Sequence, residues 1–162
     1  MKDYIQLGQD DTLRLGIKTA EGEDTGEFLE FMLSDIELPL RYQELVEKDE
    51  KNKKWLKNQM VIIDKREDVK GKKLLSKNEE DKIKAMNDFY KKEEEVYNMF
   101  LGKDGVKKLL NGRKMGWTTL QEIDELIEKQ ILPHLDLSMT NISKKIKEKY
   151  GVKKSKDEEV LR

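Results

Sequence analysis

Near the start of the chain apolar and polar residues alternate, and after about forty residues the period changes to that of a helix. Residues 4–7 and 13–19 read at period two, which sets Leu13, Leu15 and Ile17 on one face of a strand. The stretch between them, Gly8-Gln-Asp-Asp-Thr12, has the composition of a turn, so a hairpin is predicted. A second loop with two glycines covers residues 20–26. Residues 28–33 then read as a third strand, with Leu29, Phe31 and Leu33 on one side and Phe28 and Met32 on the other. Three short strands predict a small antiparallel β-meander, and a meander of that size needs a helix to cover its apolar face.

Leu38 and Pro39 open the first long helix, because a proline in the first turn gives up an N–H that has no partner there anyway. Ser34 and Glu37 have capping-box spacing, although the proline moves the expected start toward Glu37. Tyr42, Leu45, Val46, Trp55, Leu56, Met60 and Ile63 recur at helical spacing. Residues 47–54 are almost wholly polar, so this middle stretch is expected to project beyond the body or to end the helix early. Residues 65–77 read as a densely charged, solvated connection.

From Asn78 a second long helix is predicted, with Ile83, Met86, Phe89 or Tyr90, Val96, Tyr97 and Phe100 on its apolar stripe and Gly102 as its C-cap. The two helices are expected to pair as an antiparallel hairpin. A short helical segment at 106–110 ends at Asn111-Gly112. Thr118 is placed to cap a helix through Leu120, Ile123, Leu126, Ile127 and Ile131, which Pro133 breaks or kinks. A last amphipathic helix over 137–150 carries Ile142 and Ile146 and closes at Gly151. The fold class is therefore α+β, one compact unit with a meander over 1–37, a mostly helical body over 38–150 and a charged tail over 151–162 that is expected to fray.

Composition narrows the function classes. Charged residues make up 41% of the 162 positions and apolar ones only 36%, so the core is thin and the helices are elongated with solvated outer faces. The 33 basic and 34 acidic residues nearly balance, whereas a nucleic-acid module carries a basic excess. Cysteine is absent, which removes disulfides, thiolate catalysis and cysteine-based zinc sites. No run approaches a membrane span and the N-terminus has no apolar signal core, so a soluble, intracellular protein without an anchor is expected.

Candidate chemistry is sparse. His134 follows Pro133 without a second ligand at metal-site spacing, and its expected role is structural. The carboxylate runs Glu93-Glu-Glu95 and Asp157-Glu-Glu159 read as evenly solvated faces, whereas a catalytic pair needs two different environments. Gly102-Lys103-Asp104-Gly105 resembles a phosphate loop superficially, but Asp follows its lysine where Ser or Thr is required. No catalytic residue, cofactor or metal is therefore expected, and no enzymatic activity. Residues 118–150 could imitate a helix-turn-helix with a lysine-rich second helix, but Asp124, Glu125, Glu128 and Asp136 would crowd the phosphate backbone.

The remaining signal is an excess of methionine and aromatic side chains on a thin scaffold. Trp55, Met60, Tyr90, Tyr97 and Phe100 are the candidate partner-binding residues, with the hairpin's own core as the alternative use for them.

One stretch carries a resemblance. Ser34-Asp-Ile-Glu-Leu-Pro-Leu-Arg-Tyr-Gln-Glu-Leu-Val46 is similar to a junction in small proteins of phage and prophage tail clusters, where a short β-meander passes into charged helices. The chain thus resembles the tail assembly chaperones of Gram-positive siphophages and tail-like particles. The resemblance implies a cytoplasmic, non-enzymatic protein that binds the long helical tape-measure protein during tail assembly and leaves as tail-tube subunits arrive. Its partners would be the tape-measure protein, the tail-tube protein and further copies of itself. The competing expectations are a structural connector or minor tail protein that stays in the particle, and a small DNA-binding regulator using residues 118–150.

Overall fold

The computed structural model describes residues 3–6 and 11–150. Two strands, β1 (Thr12–Lys18) and β2 (Asp24–Met32), form an antiparallel hairpin. Five α-helices follow: α1 (Leu38–Asp64), α2 (Lys77–Leu101), α3 (Gly105–Leu110), α4 (Trp117–Leu126) and α5 (Leu132–Tyr150), with a π-helical turn at Ile127–Ile131 joining the last two. The class is α+β. The expected first strand does not form among the described residues: positions 4–6 have no regular structure, and Leu7 and the turn residues 8–10 lie outside the described residues. The sheet is thus a two-stranded hairpin. The expected closing residue Gly151 and the tail 151–162 also lie outside the described residues, as does the Ile142 side chain.

Strand register follows the alternation. Leu13 pairs with Phe31 and Leu15 with Leu29, which stacks the inward side chains across the ladder. Arg14 lies 3.6 Å over the Phe28 ring on the outer face. The inward face meets the C-terminal end of α2 and the short α3, not α1 alone. Phe31 and Tyr42 each bring a ring within 5.6 Å of Phe100. Leu29 reaches Gly105, where a Cβ would stand only 3.6 Å from its methyl and 2.8 Å from the Leu101 Cβ. A residue without a side chain is what lets α3 turn in this tightly.

α1 begins at Pro39's turn as expected, but its entrance is held by Asp35: its Oδ1 accepts the Glu37 N–H at 3.0 Å, and Oδ2 pairs with Arg41. Ser34 and Glu37 make no capping box. α2 does have one. Ser76 accepts the Glu79 N–H at 3.1 Å while the Glu79 carboxylate accepts the Ser76 N–H at 3.3 Å. The loop between these helices is tied down through Asn78, whose amide donates to the Ile63 and Arg66 carbonyls and whose N–H is accepted by Asp68. The connection read as merely solvated is therefore fastened at one end to the hairpin.

α1 and α2 are antiparallel: Lys48 meets Met99, Asn52 meets Glu93, and Ile63 meets Asn78. The polar stretch 47–54 neither projects nor ends the helix. It lies mid-helix, and Asp49 and Asn52 turn inward. The core runs from the hairpin through Leu45, Phe89, Val96, Tyr97 and Phe100 to Leu120, Ile123, Ile127 and Ile131. Burying each such side chain contributes roughly 1.5–3 kcal/mol. Ile83, expected on this stripe, is exposed.

Pro133 does not end the helical run. One turn before it the backbone widens, and the Leu132 N–H bonds to Ile127 five residues back. This π turn absorbs the missing donor and the ring of the proline. Residues 117–150 are consequently one continuous helical run, with no turn between the two segments of the expected helix-turn-helix. The cap at its start is Gly116, whose N–H is accepted by the Thr119 hydroxyl at 2.7 Å, not Thr118.

Candidate functional site

Two flanks of the α1/α2 hairpin have opposite characters. One is closed by α4 and the π turn over a buried polar cluster. Asn52 donates to the Glu93 Oε1 at 2.9 Å, and Lys53 pairs with Asp49 at 2.9 Å. Tyr97 donates its hydroxyl to the Asp124 carboxylate. Tyr42, Val46, Asp49, Tyr97, Asp124 and Glu128 line a cavity of about 240 Å³ beside them.

Glu93 is wholly buried. Its Oε2 and the Asp49 Oδ1 are both buried and neither has a donor. Two carboxyl oxygens in that state are reconciled by one proton, carried by Glu93 and donated to Asp49. Burial is the main reason that Glu93 is pushed up to about 8; the hydrogen bond and charge of Asp49 add to it, and Asn52 and Lys53 oppose it. The neighbours respond consistently. Burial, then the Asp124 hydrogen bond, raises Tyr97, and burial also raises Asp124 against the pull of Tyr97. Burial lowers Lys53, but the Asp49 hydrogen bond and the surrounding carboxylates outweigh it and leave it raised. Burial and then the charges of Glu128 and Asp124 raise Tyr42. Among the described residues no three His, Asp or Glu side chains are grouped so as to hold a metal ion. The cluster's evident work is to hold α1, α2 and α4 in one register.

The other flank is open. Trp55, Gln59 and Ile62 of α1 and Ala85 of α2 line a groove of about 260 Å³, framed by Arg66, Asp81, Lys84 and Asp88. The Lys92 ammonium lies 3.5 Å over one face of the Trp55 ring. Arg66 and Asp81 bridge the groove's end at 2.8 Å.

The five candidate partner-binding residues do not come together. Trp55 is half-buried in this groove. Met60 is half-buried elsewhere on α1. Tyr90, also half-buried, faces a separate pocket with Met115. Tyr97 and Phe100 are in the core and present no surface to a partner. Ile62 was missed, although it stands one helical heptad after Trp55 and more than half of it is exposed. Glu93 was missed because it lies within a carboxylate run, yet its spacing from Phe89 and Tyr97 places it on the buried stripe.

No family model, curated protein or solved structure matches the chain. Among the described residues no helix is long and apolar enough to cross a membrane.

Proposed function

We propose that the chain is a non-enzymatic, tail-assembly-chaperone-like protein of a phage or prophage, binding an exposed helix of the tape-measure protein in the host cytoplasm. The observation that supports this reading is the open groove of Trp55, Gln59, Ile62 and Ala85 along the hairpin. Its floor mixes the apolar Trp55, Ile62 and Ala85 with Gln59, and its rim carries both signs of charge, Arg66 and Lys84 against Asp81 and Asp88. An amphipathic helix with one apolar stripe and mixed flanking charges satisfies both. A groove of about 260 Å³ accepts only a side chain or two, so each contact is weak. Many copies along one long helix would sum to firm but reversible cover. The charged outer faces would keep that array in solution.

The test is co-expression with the tape-measure protein encoded in the same gene cluster. The native chain should keep that protein soluble and co-purify with it. Ile62→Lys should abolish co-purification while the circular dichroism melt stays nearly unchanged, since Ile62 is 56% exposed and a lysine suits the last turn of α1. Trp55→Ala should do the same with some loss of stability. Failure of the native chain to co-purify, or full retention by both variants, refutes the reading. Mass spectrometry of purified particles adds a second check: the chain should be missing from them, and its presence would mark a structural component.

A further inference from the structure

Several basic side chains on this surface are answered by an acid. Lys48 pairs with Glu44, Lys82 with Asp64, Lys84 with Glu80, Lys108 with Glu27, and Arg66 and Lys77 with Asp81. One concavity gathers four basic side chains on its wall. Between α2, α3 and the loop leading to α4 lies a pocket of about 460 Å³, walled by Lys91, Lys107, Arg113 and Lys114, with Tyr90 and Met115 also on its wall. Lys91, Lys107 and Lys114 make no ion pair, and Arg113 reaches Glu122 only at 4.0 Å. Glu94 is the one acid on the wall, so the pocket carries a net charge of about +3 in a chain whose total is −1.

We propose that this pocket binds a small phosphate-bearing molecule with a flat apolar portion, such as a nucleoside diphosphate. Three kinds of observation converge on that class. The lysines and Arg113 supply charge-assisted donors for a polyanion. The Tyr90 ring, supported by Phe89 at 5.3 Å, offers a flat surface for a base, and Met115 adds a polarizable apolar contact. The volume falls in the range of small-molecule sites. A polynucleotide fits less well, because the basic side chains close round one concavity and form no stripe along which a phosphate backbone could continue.

The experiment titrates ADP, inorganic pyrophosphate, a short single-stranded oligonucleotide and a poly-glutamate peptide separately into the full-length protein at physiological salt. Amide chemical shifts and calorimetry are followed. ADP is expected to bind saturably, with shifts confined to residues 87–94 and 107–115. Lys107→Glu with Lys114→Glu should weaken ADP by at least about tenfold. The charge-matched control Lys51→Glu with Lys57→Glu, on an exposed part of α1, should leave ADP affinity unchanged. Tyr90→Leu should weaken ADP while sparing pyrophosphate, and Lys107→Ala serves if the double variant unfolds. The proposal is overturned by absent or unsaturable ADP binding, by equal losses in the control, or by an oligonucleotide or poly-glutamate binding more tightly than ADP.

Discussion

Replacing Glu93 by Gln tests whether one proton bolts α1 to α2. Glu93 is pushed up to about 8 from an ordinary 4.5, mainly by burial, so the folded chain holds a proton that the unfolded chain releases between those values. Below pH 4.5 both states are protonated and Glu93's neutral contacts are fully available. As pH rises toward 8 folding must take up a proton, and stability falls by about 1.4 kcal/mol per pH unit. From pH 5 to 8 the loss comes to about 2.5–4 kcal/mol, allowing a unit either way in the shifted value. A glutamine in this position needs no proton. Its carbonyl still accepts from Asn52, and its NH₂ can donate to the orphaned Asp49 Oδ1.

Urea denaturation followed by circular dichroism at half-unit pH steps gives the comparison. The wild-type-minus-variant difference should swing toward the variant by about 2.5–4 kcal/mol across that window, with the denaturant slope unchanged. Taking the difference cancels carboxylates elsewhere in the chain, including Asp35, Asp68 and Asp81, which hydrogen bonds hold below the usual range. Asp49→Asn should shrink the total swing without removing it, because burial is the larger cause. Parallel pH profiles for wild type and Glu93→Gln would refute the shared proton.

Two smaller perturbations probe the frame. Ser76→Ala removes the reciprocal cap of α2 and should cost about 1 kcal/mol, a fall of roughly 2–4 °C in Tm by calorimetry; an unchanged Tm would mean that Asp68 and Asn78 hold that end alone. Gly105→Ala places a Cβ 2.8 Å from the Leu101 Cβ and should destabilise by about 1–3 kcal/mol in urea, whereas a neutral result would show that α3 can shift away from α2.

The long elements were legible because local signals agreed with the global fold. Pro39 marks the start of α1, Gly102 the end of α2 at φ 97°, and Asn111-Gly112 the end of α3, where both residues have positive φ. The capping box of Ser76 and Glu79 was missed, and it sets the N-cap of α2 two residues before the expected start at Asn78. What could not be read was direction. Asp49, Asn52 and Glu93 have the composition of a solvated face, and only the facing helix decides that they point inward. The same ambiguity scattered the candidate site. Tyr97 and Phe100 share helical spacing with Tyr90, but spacing alone does not say which arc of α2 the α1 and α4 helices will cover.

That asymmetric cover links the buried cluster to the groove. A helical hairpin has two flanks, and here α4 with its π turn takes one through Tyr97 to Asp124, leaving Trp55 and Ile62 on the other. An apolar seam alone would let α1 slide along α2 by a turn with little penalty, since leucine and isoleucine side chains interlock in several registers. A proton shared by Asp49 and Glu93 and an amide between Asn52 and Glu93 fit one register only. Sliding by one turn would strand a buried carboxyl, at a cost of several kcal/mol. The polar middle of α1 thus sacrifices some burial to fix the position of Trp55 opposite Ala85. A partner surface assembled from two helices keeps its shape only if those helices cannot shift.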